Sequence, residues 1–368
     1  MKFRFPGLKI LDRYIIGKYL STYFFSIAMI IVVLVIFDYA EKIDDFTELS
    51  APWKAIIFDY YLNFVPFIVN QFSSLFAFIS VIFFTSKMAY QTEIIAMLSG
   101  GMSFRRLMYP YFVGSLIIAS ISLSLNLWVI PVSQKVSVEF ESKYIKRRAS
   151  EDKFDRHIYR QVEPGTFVYI RGYNASTSRA SFFAIEKYKD NAMVSVLEAS
   201  DASFNKETKR WTAARFTTRE FDEKGSEAFS QYRNLDSLMG LDINELGDVS
   251  QLIKTMKIEE LNEFLEQQRI KGSDSLKIIE VAKHTKFAYP LSTFILALIG
   301  VSLSSRKIRG GTGQHIGIGT GLCFSYILFG RIFEEFAKGG TMNPALAVWI
   351  PNIIYLFIAI YLYNKAPK

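Results

Sequence analysis

The sequence predicts a membrane α-helical bundle of six transmembrane helices, with an all-β, jellyroll-like domain inserted between the third and the fourth. The first observation is a set of six long runs free of Asp, Glu, Lys and Arg. These runs are Tyr19 to Phe37, Tyr60 to Ser86, Leu107 to Gln134, Phe287 to Ser305, Gln314 to Gly330 and Thr341 to Asn364. A helix needs about 20 mostly apolar residues to cross a bilayer, and the runs do not alternate as barrel strands would.

The second observation is the change in composition between the third and fourth runs. This segment is polar and mixed in charge, and stretches such as "TFVYIRG" alternate, with Val168 and Ile170 on one side and Phe167 and Tyr169 on the other. Clusters of Asn, Asp, Gly and Ser separate these stretches, as in sandwiches and jelly rolls. The stretch "IEELNEFLEQQRIKG" then takes a helical period and leads back to the fourth span.

These patterns divide the chain into four parts. Residues 1–134 hold transmembrane helices 1 to 3 and a short helix near 89–101, and residues 135–250 form the β domain. Residues 251–282 form a connecting helix and linker, and residues 283–368 hold transmembrane helices 4 to 6. The first run follows basic residues, as a signal peptide does. It is too long for that role and no small-x-small site follows it, so we expect a retained span.

The distribution of charge predicts the orientation. The N-terminus, the link near Tyr90, the link between spans four and five and the C-terminal tail carry many Lys and Arg, with Asp12 and Glu93 as their acids. The connections on the other side carry more acids than bases. Because positive residues favour the cytoplasm, we expect both termini inside and the β domain outside. This asymmetry explains the net charge of +8 better than a nucleic-acid surface does.

The motifs of several enzyme classes are missing. The chain has no G-x-x-x-x-G-K-[ST] loop, no H-E-x-x-H and no paired cysteines, and its three histidines are scattered. We therefore expect no catalytic residue, no metal site and no cofactor in this chain. Cys323 lies within a span, where a buried thiol acts as a small hydrophobic group. In span two, Asn63, Asn70 and Gln71 indicate either a cavity or hydrogen bonds between helices.

The stretch "YQTEIIAMLSGGMSF", residues 90–104, is too short to cross a membrane. As a helix it places Ile94, Met97 and Leu98 on one face and sets Glu93 apart, beside the small side of Gly100. We expect the apolar face to lie against the bundle at the cytoplasmic surface. Glu93 would then face a side against which another molecule can dock.

Two further sets of residues have two interpretations each. Small residues recur every four positions in span five and line one helix face: Gly313, Gly317, Gly321 and Ser325. They indicate either close packing within the chain or a seam with a partner subunit. Cations at the outer ends of spans could contact lipid phosphates or could simply be snorkelling anchors or paired with nearby acids: Lys42, Lys283, Lys286 and Arg331.

The chain resembles the LptF/LptG permeases of the lipopolysaccharide-export ABC transporter. The resemblance is carried by "LDRYIIGKYL" at span one, "TEIIAMLSGGMS" after span two, the inserted β domain and "NPALAVWIPNIIYLFIAIYL" at the end. It covers essentially the whole chain, and the "LDRYI" opening is more similar to the LptG member.

This resemblance implies a non-catalytic permease subunit in a Gram-negative inner membrane, with both termini cytoplasmic and the β domain periplasmic. Its partners would be a cytoplasmic LptB-like ATPase dimer, an LptF-like sister permease, periplasmic LptC- and LptA-like jellyroll proteins and lipopolysaccharide. The helix near 89–101 would be the coupling helix, with Glu93 in the family's acidic position. Spans one and five would form the seam and lateral gate. Basic residues on span one hold phosphates in the family, but here Asp38 and Glu41 accompany Lys42.

Two alternatives remain open on the sequence. The chain could be a membrane-anchored periplasmic assembly or sensor protein that transports nothing, which would need no coupling helix. It could also belong to an ABC exporter of another lipid or of lipoproteins.

Overall fold

A computed structural model describes residues 9–145, 158–174, 177–190, 192–205, 208, 210–221, 226–237, 249–270, 275–305 and 312–366. Residues 1–8 and 306–311, which carry part of the basic charge on the predicted cytoplasmic side, lie outside these ranges. The described chain divides into two compact units. One contains Met1–Ile43, Ile56–Ser137 and Lys277–Lys368, and the other contains Asp44–Ala55 and Val138–Leu276.

Helices precede and follow the strands along the chain. They are α1 (Ile10–Glu48), a short α2 (Trp53–Ala55) that continues as a π-helical turn (Ile56–Tyr61), α3 (Leu62–Tyr90), α4 (Glu93–Ser99), α5 (Phe104–Ser124) with a second π-helical turn (Leu125–Val129), and α6 (Ile130–Tyr144). After the β strands come α7 (Val249–Lys254), α8 (Ile258–Ile270), α9 (Leu276–Ser304), α10 (Thr312–Lys338) and α11 (Pro344–Lys365).

Six helical segments of the described chain are long and apolar enough to cross a membrane. They are Ile10–Glu48, Trp53–Tyr90, Phe104–Glu141, Leu276–Ser304, Ile316–Lys338 and Pro344–Lys365. Each contains one of the six charge-free runs or most of it, because a continuous apolar helix satisfies its own backbone in lipid. Together with the strands described next, they confirm the predicted fold class.

The inserted unit contains one antiparallel sheet. Its strands are β1 (Ile158–Glu163), β2 (Thr166–Ile170), β3 (Tyr173–Asn174), β4 (Arg179–Ala180), β5 (Phe183–Lys189), β6 (Ala192–Ala199), β7 (Ala202–Asn205), β8 (Arg210–Phe221) and β9 (Glu227–Ser237). The order is β1-β2-β5-β6-β8-β7-β4-β3, and β9 pairs with the other edge of β8. The long β8 therefore pairs with β7 along its first half and with β6 along its second.

Strand β8 joins two limbs of the sheet, β1-β2-β5-β6 and β7-β4-β3. Both limbs contribute to one apolar core around Trp211, which is fully buried. Val168 and Ile170 come from one limb and Phe204 from the other, while Phe183 stacks on the Trp211 ring at 5.3 Å. The alternation of β2 thus has the predicted faces, with Val168 and Ile170 inward. Limbs that share one core are the arrangement expected of a jellyroll-like domain.

Several predicted boundaries fall inside helices. The boundary at 134/135 lies within α6, that at 250/251 within α7 and that at 282/283 within α9, and the short helix covers Glu93–Ser99 rather than 89–101. The reason is that the loss of apolar residues marks the edge of the hydrocarbon layer, whereas a helix continues into the polar region until its backbone is capped. At α4 the limits come from backbone turns, since Thr92 has φ 61° and Gly101 has φ 86°.

Candidate functional site

The short helix α4 is fixed to the bundle through its apolar side. Ile94 is fully buried in a core that includes Phe104 and Leu107, and Met97 and Leu98 pack against the same core while remaining partly accessible. The three side chains share the face predicted from the helical period. Gly100 ends the helix, with its N–H donating to the carbonyl oxygen of Ala96. The position of α4 is therefore set by burial of this face, since hydrophobic area removed from solvent is the main favourable contribution.

Glu93 lies on the accessible side of α4. Its carboxylate accepts a hydrogen bond from the hydroxyl of Tyr14 on α1, with 3.0 Å between Oη and Oε2. Residues near the start of α1 pack beneath it, because Ile15 and Tyr19 belong to the same core as Ile94. The lone acid is thus held in one orientation but still open to an approaching molecule.

The glycine face of α10 is open in this chain. A Cβ atom added at Gly313, Gly317 or Gly321 would meet no atom of the described residues within 4 Å. The side chains of Phe324 and Leu328 continue the same stripe and are 59% and 60% exposed. Of the two interpretations of this face, packing within the chain is therefore not supported at these three glycines.

Ser325 departs from the predicted stripe. It is half-buried, and its hydroxyl bonds to the hydroxyl of Tyr355 on α11 and donates to the carbonyl oxygen of Leu322. The physical reason is the helical period, because four residues advance the helix by about 40° beyond a full turn. Three such steps carry Ser325 off the face of Gly313, and Phe324 takes the corresponding place.

The least covered spans are α1 and α10. Only 11% of the apolar window of α1 and 17% of that of α10 are buried within the described chain, against 67% for α9. Apolar helices in a membrane do not need to be covered by their own chain. The contrast nevertheless shows which faces are available to another subunit or to lipid.

The four cations predicted to contact a headgroup have different surroundings. The Lys42 ammonium lies 2.6 Å from Asp38 Oδ1 and also bonds to the Tyr60 hydroxyl. Arg331 lies 3.3 Å from Glu334, whose other carboxylate oxygen accepts from Tyr289. Both cations therefore already have a neutralising acid.

Lys286 and Lys283 lie close together on α9 but differ in burial. Lys286 is 9% exposed, and its ammonium donates to the carbonyl oxygen of Asn126 at 3.3 Å. Lys283 is partly exposed, and its side chain makes no hydrogen bond or ion pair with the residues that the structure describes. The structure does not bring the four cations into one cluster by any contact between them in the described chain.

The polar residues of span two show both of the predicted arrangements, hydrogen bonds between helices at Asn70 and a cavity at Gln71. Asn70 donates to the side-chain oxygen of Asn126 at 2.9 Å and accepts from Ser122 at 2.6 Å. Asn63 donates to backbone carbonyl oxygens of its own helix, and Gln71 lines a cavity of about 80 Å³ that Arg331 and Glu334 also line. These bonds lower the cost of keeping polar groups in an apolar layer.

Asp12 and Arg106 were not predicted as functional residues, although they meet beside α4. Arg106 donates to both carboxylate oxygens of Asp12, at 2.7 and 2.6 Å. A signal was present in the sequence, because Asp12 and Glu93 are the acids of an otherwise basic side. Their partners could not be identified, since Asp12 and Arg106 are 94 positions apart.

The chain combines six helical spans, an antiparallel β domain between the third and fourth spans, and a short helix between the second and third that is embedded by one face. These features define a class of protein, a multi-pass permease subunit with an extramembrane β domain. The model of the family described as lipopolysaccharide export system permease LptF/LptG matches residues 13–365, and the chain belongs to this family. Among curated proteins, no sequence matches the chain.

Membership establishes the general role. The protein is a lipopolysaccharide export permease, a non-catalytic transmembrane subunit that sits in the inner membrane with several spans. It acts as part of the Lpt complex with partner subunits.

Proposed function

We propose that this chain extracts lipopolysaccharide from the inner membrane and passes it to a periplasmic bridge, using ATP hydrolysed by a cytoplasmic LptB-like dimer. The observation that carries the proposal is α4, a helix anchored by Ile94 that keeps Glu93 accessible. A sensor or assembly protein would need no such helix. An energy source is required, because each lipid methylene withdrawn from an apolar environment costs about 0.8 kcal/mol.

The partners and the orientation belong to this proposal. The chain would be the LptG-like member and would pair with an LptF-like permease along α1 and α10, whose apolar faces are the least covered. Its termini and α4 would lie in the cytoplasm, as the basic residues favour. Its β domain would lie in the periplasm, where it would meet LptC- and LptA-like jellyroll proteins.

The inner face of the β domain offers an apolar path for acyl chains. Val168, Ile185, Leu197 and Thr218 are consecutive cross-strand partners on β2, β5, β6 and β8. Directly opposite residues share one face of a sheet, and Val168 belongs to the core around Trp211. Ile185 and Leu197 therefore face inward.

Photocrosslinking on this face tests the function. In proteoliposomes holding the complete complex, a photoreactive residue at Ile185 or Leu197 should capture lipopolysaccharide when ATP is hydrolysed. Capture should fall to background with a non-hydrolysable analogue. Phe167 is a matched control, because it lies on the neighbouring strand but on the opposite face, in a cluster with Tyr159 and Tyr188.

The outcomes separate the alternatives. Equal capture at Phe167 and Ile185, or capture that does not depend on hydrolysis, would contradict transport along the inner face. Capture of a different lipid or a lipoprotein would assign the chain to another export system, and no capture in a complex that hydrolyses ATP would favour an assembly or sensor role.

Lys283 is the proposed headgroup contact among the four cations. Replacing it with Gln should weaken retention of lipopolysaccharide by the detergent-solubilised complex about fivefold, since one lysine near anionic lipid contributes about 1 kcal/mol. Lys338→Gln is the control, because Lys338 already pairs with Glu335 at 2.6 Å. Equal retention by the Lys283 variant and wild type would contradict this assignment.

A further inference from the structure

The start of α1 is bound to the start of α5 by an ion pair that is buried on one side. The side chain of Asp12 is 3% exposed and that of Arg106 is 33% exposed. Both carboxylate oxygens are used by the guanidinium, and Oδ2 also accepts the backbone N–H of Lys9 at 2.9 Å. Two parallel charge-assisted bonds fix direction as well as distance.

The helix dipole of α5 does not explain the placement of Arg106. This residue lies in the first turn of α5, where the helix dipole disfavours a cation. Ser103 already caps this helix by accepting the N–H of Arg106 at 3.3 Å. Asp12, by contrast, stabilises its own helix. Its negative charge is favoured by the dipole in the first turn of α1, and its carboxylate caps the helix by accepting the backbone N–H of Lys9. Arg106 also lies over the ring of Tyr109 on its own helix, at 5.2 Å, but its charge is neutralised by Asp12 of α1.

The same part of α1 is attached to α4. Tyr14 donates to Glu93, and Ile15 and Tyr19 pack in the core that holds Ile94. Because α5 begins soon after the end of α4, at Phe104, the Asp12–Arg106 pair joins α1 to the α4–α5 turn from the other side. The first turns of α1 are thus connected to α4 through Tyr14 and Glu93 and to the start of α5 through Asp12 and Arg106.

Beyond these turns α1 is largely uncovered by its own chain. Past Ile27, side chains such as Met29, Ile36 and Phe37 are 56%, 62% and 70% exposed. Further along, α1 bonds to α3 through Tyr23 and Ser73, and its Asp38 accepts from Tyr61 of the π-helical turn. Because an α-helix moves as a rigid element, a displacement of its first turns is passed along its length.

We propose that Asp12 and Arg106 are positioning residues that convert a displacement of α4 into a movement of α1. This inference rests on the proposed function, in which α4 receives the ATPase and α1 lines the seam. The pair touches neither substrate nor nucleotide, so its loss should separate hydrolysis from transport rather than abolish binding of the ATPase.

The test compares Asp12→Asn, Arg106→Lys and the exchanged pair Asp12→Arg with Arg106→Asp in the complete reconstituted complex. Asp12→Asn keeps an oxygen for the Lys9 N–H, and Arg106→Lys keeps the charge but loses the fork. ATPase association and hydrolysis should stay within about twofold of wild type, while lipopolysaccharide released per ATP should fall about tenfold for the lost bidentate pair. The exchanged pair should recover part of the release.

A distance measurement gives a readout that a purely structural role would not change. Spin labels at Ile36 on α1 and Leu116 on α5, in a chain with Cys323→Ala, should report a change in separation when nucleotide is trapped. Asp12→Asn should lose most of that change, while the signal of a label at Ile95 on α4 should still change when nucleotide is trapped.

Either of two results would overturn the proposal. One is normal release and normal movement of α1 in Asp12→Asn and Arg106→Lys, and the other is loss of complex assembly in both variants, which would make the pair structural. Wild-type complex that neither recruits an ATPase nor releases lipopolysaccharide would instead overturn the proposed function, and this inference with it.

Discussion

Glu93→Lys is expected to abolish productive association with the ATPase dimer, lowering its affinity for the permease about 100-fold. In the proposed function Glu93 contacts a basic groove of the ATPase, and like charges placed together at an interface cost several kcal/mol. The permease itself should still fold, because Glu93 is partly exposed and the burial of Ile94 that anchors α4 is unchanged. Co-purification from membranes and stimulation of ATP hydrolysis both measure the effect.

Tyr14→Phe is the matched control for this prediction. It removes the hydroxyl that donates to Glu93 and leaves the carboxylate in place. If Glu93 acts by contacting the ATPase, Tyr14→Phe should bind the dimer nearly as well as wild type. Unchanged complex yield and unchanged stimulation in Glu93→Lys would refute the role of α4, and an equal loss in Tyr14→Phe would mean that Glu93 acts within the chain.

Gly317→Leu is expected to prevent pairing with the sister permease while leaving the single chain folded. No atom of the described chain lies within 4 Å of a Cβ at Gly317, so a larger side chain starts in open space. Glycine also lowers helix stability relative to leucine, by about 0.8 kcal/mol. Gly317→Leu should therefore weaken association where another helix approaches the small face closely, and should not reduce the stability of the single chain. Size-exclusion chromatography of the co-expressed permeases measures assembly, and thermal unfolding measures the single chain.

Gly319→Leu, two positions away, is expected to have the opposite effect, a loss of folding of the single chain. A Cβ there would collide with the side chain of Ile82 on α3, so this variant should destabilise the chain itself. Normal heterodimer formation by Gly317→Leu would count against a seam on this face. Equal loss of folding in both variants would show that the face of Gly317 packs within the chain after all.

The spans and the strands could be predicted because each is determined by the local pattern of side chains. A charge-free run of about 20 residues has few stable arrangements other than a membrane helix, and an alternating strand shows which side is buried. The apolar face of α4 followed from the same reasoning, since Ile94, Met97 and Leu98 are close in sequence. The family resemblance could be stated from such stretches, and the family match over residues 13–365 supports it.

The exact limits of helices could not be predicted from composition. The third span continues as α6 to Tyr144, and α4 is limited by the positive φ angles of Thr92 and Gly101. Hydropathy reports where the chain leaves the apolar layer, whereas the end of a helix depends on backbone hydrogen bonds and caps. Ser325 bonds to Tyr355 of its own chain for a similar reason, because a four-residue spacing is only approximately one turn.

The sequence by itself determined that this protein has six spans, an inserted β domain and a lone acid on a short helix between spans, since each depends on neighbouring residues and on the solvent they prefer. Only the tertiary structure decided which distant groups meet, as Asp12 and Arg106 do, and as Tyr14 and Glu93 do. The reason is physical: hydropathy acts residue by residue along the chain, whereas an ion pair requires two side chains to be brought within about 3 Å by the packing of helices that the sequence places far apart.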